Sequence, residues 1–178
     1  MKENCIISPL CQFEGNLITQ VIPGNFNCFE DYVFIGQEGK MGNSNTFKRN
    51  TKVGQECQIG NNNSFGHDCV VKNKIIIGNS CTFEPGVEID DDVYIGNNVT
   101  IASGVSIGKG CVIKSGATIK SNLGEACKIA QNVVIERDVA IGNNVEITPG
   151  CHIRRNDVVE DNFLISQERR VLKTKKEE

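Results

Sequence analysis

The chain has 178 residues, 39% of them hydrophobic, with 19 basic and 22 acidic side chains and a formal net charge of −3. That length allows one domain. The two signs of charge are scattered, which gives no case for nucleic acid; no run is long and apolar enough to insert in a membrane; and the N-terminus lacks the basic, apolar, small-residue order of a secretory signal.

Residues 1–28 are the least regular. Ile7 and Phe13 read as the first members of a repeat, with Cys11 and Leu17 as their small partners, before the phase breaks around Val21, Ile22, Pro23 and Gly24. One or two distorted coils are expected here, covering an edge that would otherwise expose unpaired backbone groups.

From Phe29 to Ile165 the pattern is strict. A large apolar residue returns every sixth position sixteen times in a row, from Phe29 to Ile119, and from Ile77 to Ile113 a small residue follows each one four places later. A helix needs a period near 3.6, whereas six fits a short strand and a corner, repeated. The fold class that follows is all-β: a single-stranded parallel β-helix, a triangular prism with three hexads per coil. After Ile119 the phase slips by two residues and resumes at Leu123, so 29–165 holds 24 hexads, or about eight regular coils. The slip reads either as a shortened face or as a small bulge.

Two packing expectations follow. Phe29, Phe47, Phe65 and Phe83 lie eighteen apart, so they should stack in one column, continued by Ile101 and Ile119. Seven of the nine cysteines (Cys11, Cys57, Cys69, Cys81, Cys111, Cys127 and Cys151) occupy the small inward place and there is no C-x-x-C pair. They read as reduced core thiols, with Cys111 and Cys127 stacked as neighbours, rather than as disulfide or metal ligands. Asp90, Asp91 and Asp92 with Glu88 read as a solvated acidic corner.

Residues 166–178 leave the repeat. They are basic and free of Gly and Pro, and a short helix or tail is expected there, with Val171 and Leu172 turned inward.

The sequence has two histidines. His67, in Gly66-His67-Asp68-Cys69, resembles the His-Asp-Cys stretch of some sugar O- and N-acyltransferases built from hexapeptide repeats, where a histidine acts as general base on the acceptor. His152 reads as a corner residue without a partner. Two histidines cannot supply the three-histidine zinc site of the γ-class carbonic anhydrases, which resemble this chain in architecture.

The chain as a whole resembles the left-handed β-helix superfamily, and the left hand is implied by that resemblance. The run Val158-Val159-Glu160-Asp161-Asn162-Phe163-Leu164-Ile165 with Arg169-Arg170-Val171, and the hexads ending in Phe47 and Phe65, resemble a small β-helix subunit of the dynactin pointed end. That resemblance implies a non-enzymatic, cytoplasmic and cytoskeleton-associated scaffold that binds other protein subunits, among them a paralogous β-helix protein. The unbroken hexads, with no loop to build a pocket, favour this expectation: no catalytic, cofactor-binding or metal-binding residue, and no cofactor. The alternative is an acyl-CoA-dependent acyltransferase with His67 as general base.

Overall fold

The computed structural model describes residues 6–7, 9, 12–13, 22–166 and 169–174. Each hexad forms a two-residue strand, and strands three hexads apart pair in parallel. The second strand residue points in and is buried, while the first faces out. The fifth-place residue also points in, so two of every six side chains fill the prism. Between coils the backbone groups satisfy one another: the Cys28 N–H donates to the Asn45 carbonyl (2.8 Å) and the Phe34 N–H to that of Thr51 (2.9 Å).

Three faces result. The first carries the inward residues Ile7, Phe29, Phe47, Phe65 and Phe83, then Ile101, Ile119, Ile135 and Ile153. The second runs from Phe13 to Val159, with Leu123 as a single bridge between Ile107 and Ile141. The third runs from Pro23 to Ile165. Ahead of the eight regular coils, Ile6–Ile7, Gln12–Phe13 and Ile22–Pro23 pair in parallel with the coil above; Phe13 stands 22 residues from its partner Ile35 where 18 is the rule.

The phenylalanine column forms as expected. Successive ring centroids are 5.1, 4.6 and 4.6 Å apart and the planes differ by 2° to 7°. Such small rotation between rungs means that outward residues also stand in straight rows. The fourth place of the hexad adopts a positive φ whatever the residue: Tyr32 at 60°, Glu56 at 56° and Lys74 at 58° sit there beside Asn and Asp. The corner therefore imposes the left-handed conformation, and the abundance of Gly, Asn and Asp lowers its cost.

The phase slip is a shortened corner. Ile107 pairs with Leu123, Ile113 with Ile129 and Ile119 with Ile135, each 16 residues apart. The two missing residues are replaced by side chains. The Ser106 N–H donates to Asn122 Oδ1 (2.9 Å), and the buried Ser121 hydroxyl donates to the Glu136 carbonyl (2.8 Å) while accepting from the Val139 N–H (3.0 Å). Ser121→Ala leaves two backbone groups without a partner and should cost about 2 kcal/mol in denaturant unfolding; a loss below ~0.5 kcal/mol would show that water replaces the hydroxyl.

Six described cysteines are buried and Cys28 is half-buried. Their thiols are of the reduced core type. Burial pushes Cys57 up to about 11 and raises Cys69 and Cys81. Cys111 and Cys127 are stacked across the short coil, and the Cys127 sulfur, followed by burial, raises Cys111. Cys5 and Cys11 lie outside the described residues. In a thiol titration of native protein at neutral pH Cys57, Cys69 and Cys81 should stay silent and react only after denaturation, because thiolate is the reactive form and burial disfavours it.

The expectation of a C-terminal helix is corrected. Among the described residues there is no helix; Arg169–Thr174 forms a strand antiparallel to Phe163–Ser166 at the end of the third face. The last rung leaves a row of open N–H and C=O groups, which a strand satisfies and a helix cannot. The inward turn expected of Val171 and Leu172 lies outside the described side chains.

Candidate functional site

The corner between the first and second faces gathers the reactive side chains. Its third and fourth hexad places stack as Asp31, Arg49, His67 and as Tyr32, Asn50, Asp68. His67 follows Gly66, whose added Cβ would lie 2.6 Å from the Pro85 nitrogen on the next coil, so only glycine lets the corner close there. Asp68 takes φ 60°, which swings its carboxylate alongside the imidazole.

His67 Nδ1 lies 2.7 Å from Asp68 Oδ2, and Asn50 Nδ2 donates to Asp68 Oδ1 at 2.7 Å. The Asn50 amide first, and His67 second, hold the Asp68 carboxyl below the usual carboxylate range. The carboxylate therefore stays ionised near neutrality and favours the imidazole tautomer with its hydrogen on Nδ1, the one whose Nε2 carries the lone pair. Both side chains are about half exposed (54%).

His67 stands at one end of a groove of about 500 Å³ that runs toward the N-terminal coil past Arg49, Lys48, Asp31, Glu30 and Cys28. That volume suits a small-molecule substrate. Glu30 is tied to the scaffold by the Arg49 N–H (3.1 Å). The sequence reading found no room for a substrate because it looked for an inserted loop; outward side chains of successive coils build the groove instead. Asn50 was missed, although its place eighteen residues before Asp68 signals the contact.

His152 is corrected from a corner to a strand residue facing out on the first face. It has a partner: Nε2 lies 3.2 Å from Glu136 Oε1, whose other oxygen is 3.0 Å from Lys120 Nζ. Lys120, then His152, holds the Glu136 carboxyl low. His152 lies five coils from His67, about 24 Å along the axis, so the two share no site in one chain. At the acidic corner Asp90 pairs with Lys72 (3.0 Å), Asp92 with Lys109 (3.6 Å), and Asp91 accepts from the Asn73 N–H (2.9 Å). Among the described residues no His, Cys, Asp or Glu group could hold a metal ion.

The family described as "Bacterial transferase hexapeptide (six repeats)" matches residues 86–121 and 120–155. A search of the curated proteins found none that matches. Solved structures do. The chain is similar to UDP-N-acetylglucosamine O-acyltransferase from Moraxella catarrhalis, at 16% identity and TM-score 0.74 over 91% of this chain and 69% of that one. It is also similar to the UDP-N-acetylglucosamine acyltransferases from Bacteroides fragilis (15%, TM-score 0.58, 97% and 73% covered) and Arabidopsis (17%, TM-score 0.51, 92% and 70% covered). At these identities the likeness establishes the fold.

The expectation of a non-enzymatic, dynactin-like scaffold is overturned by these findings: the matching family is a transferase family, and the similar structures are acyltransferases. The hexads at Phe47 and Phe65 resemble a dynactin coil because inward packing dictates them in any such prism.

Proposed function

We propose, from the premise that the chain belongs to the left-handed β-helix, hexapeptide-repeat superfamily, that it is an acyltransferase moving an acyl group from a thioester to a hydroxyl or amine. The single observation that carries this reading is the His67–Asp68 pair at the end of an open groove, 2.7 Å apart and braced by Asn50. A general base must reach its proton and must present the unprotonated nitrogen to it, and a carboxylate on Nδ1 arranges both.

His67 Nε2 takes the proton from the acceptor O–H or N–H. The freed oxygen or nitrogen attacks the thioester carbonyl, the new C–O or C–N bond forms, the C–S bond breaks, and the leaving thiolate recovers the proton. Lys48 and Arg49 supply positive charge along the groove, suited to the phosphates of an acyl-CoA or of a nucleotide-linked sugar. These cations fit such a donor without fixing its pose.

His67 is half exposed in one chain, so a neighbouring copy against this corner would be needed to exclude water, and a homotrimer is expected. The test is acceptor-dependent thiol release from acetyl-CoA and longer acyl-CoAs, with a panel of free and UDP-linked amino sugars as acceptors. Release with at least one acceptor supports the reading; none with any pair of donor and acceptor counts against it.

A further inference from the structure

The third face lies opposite the His67 corner, and its outward residues form two straight rows. The first row reads Lys40, Gln58, Ile76, Tyr94, Val112, Lys128, Glu146 along successive coils. Ile76 and Tyr94 are 43% and 39% exposed, large for residues of their kind on a regular strand face. Lys114 Nζ sits 5.0 Å from the centre of the Tyr94 ring. The second row, one residue past each inward side chain, reads Gly42, Gly60, Gly78, Gly96, Lys114, Ala130, Thr148. Over Gly42, Gly60 and Gly78 the face is hollowed into a groove of about 520 Å³.

Both rows are self-complementary about the Tyr94 coil. Counting outward from Tyr94, Ile76 matches Val112 one coil away, Gln58 matches Lys128 at two, and Lys40 matches Glu146 at three. In the second row Gly78 matches Lys114, Gly60 matches Ala130 and Gly42 matches Thr148, a small residue against a larger one each time. A two-fold axis lying in the face, at right angles to the prism, brings each residue opposite its match in a second copy. It pairs apolar with apolar and positive with negative, and it seats the larger side chains over the glycine hollow. A two-fold along the prism would do neither, since it sets each residue of one row against the other row of the same coil.

We propose that this face is an isologous interface on which a second copy of the chain docks antiparallel, centred on Tyr94, with Lys40 of each copy against Glu146 of the other. The reading stands apart from that of His67, whose corner points away. Seven rungs of about 4.8 Å by a face about 15 Å wide give on the order of 500 Å² per copy. This is at the low end for a specific contact, so pairing in the micromolar range is expected.

The test is sedimentation equilibrium of the full chain at about 100 μM. Wild type should be heavier than Tyr94→Glu: twice the mass where the base unit is one chain, and an open series from twice upward where it is a trimer, which carries three such faces. Lys40→Glu and Glu146→Lys should each weaken pairing by about tenfold, and the double variant Lys40→Glu/Glu146→Lys should recover it. Far-ultraviolet dichroism checks that each variant keeps its strands. Equal masses for wild type and Tyr94→Glu would overturn the interface. A Tyr94→Glu effect without recovery in the double variant would overturn the antiparallel register.

Discussion

Phe65→Ala should destabilise the protein by about 4 kcal/mol, the middle of the range for a buried aromatic truncated to alanine. Phe65 is fully buried, with the rings of Phe47 and Phe83 each 4.6 Å from its own. Two effects add. The ring loses its burial and its two stacking partners, and the neighbouring coils cannot close the hole, because the inter-coil hydrogen bonds fix their spacing. A domain whose whole stability is ~5–15 kcal/mol loses a large share of it. Phe65→Leu should cost less, about 1.5 kcal/mol, since Ile101 and Ile119 already continue the same column. The midpoint of urea unfolding, followed by circular dichroism, reads both. A Phe65→Ala loss under ~1 kcal/mol would mean that the column is not a rigid stack.

His67→Ala should lower the maximal rate of acyl transfer by about 10²–10⁴, the range for removing a positioned general base, while leaving the unfolding midpoint close to wild type because the side chain is half exposed. Asp68→Asn should also lower the rate, by up to about 10⁴, by letting Nε2 carry the proton. The Asp68 carboxyl is held low by Asn50 and then by His67, so it is already ionised wherever the imidazole can act as a base, and its support of His67 is lost only in strong acid, as the pH falls through its depressed value. Asn50→Ala should lower the rate by less than Asp68→Asn, since the His67 contact remains. An unchanged rate in both variants would detach Asp68 from the chemistry.

What could be read from the residues follows from which forces act locally. The prism, the Phe29 to Phe83 column, the inward thiols and the Cys111–Cys127 contact all follow from one rule: inward side chains must be apolar and recur once per face. Whether the slip at Ser121 and Asn122 was a bulge or a short corner depended on which backbone groups their side chains replace, and no period shows that. The terminal strand at 169–174 answers an open edge, which exists only once the coils are stacked. His152 sits in the sixth place of its hexad, beside the inward Ile153, and that count already puts it on a strand.

The site was legible in part. His67 and Asp68 are adjacent, so their pairing needs no long-range contact, and the short His-Asp-Cys stretch carried a resemblance to acyltransferases. The groove was not legible, because it is made of outward residues from several coils. Those positions are under no periodic constraint, so the hexads record the packing of the prism and are nearly silent on what its skin does. Reading the lack of a loop as the lack of a pocket was the step that failed.

The most direct measurement is the rate of acceptor-dependent thiol release from acyl-CoA by wild type and by His67→Ala, at matched concentration and with matched unfolding midpoints. The expected result is turnover by wild type that falls at least a hundredfold in the variant. Equal rates in the two proteins would contradict a catalytic His67, and no release by wild type with any acceptor would contradict acyl transfer itself.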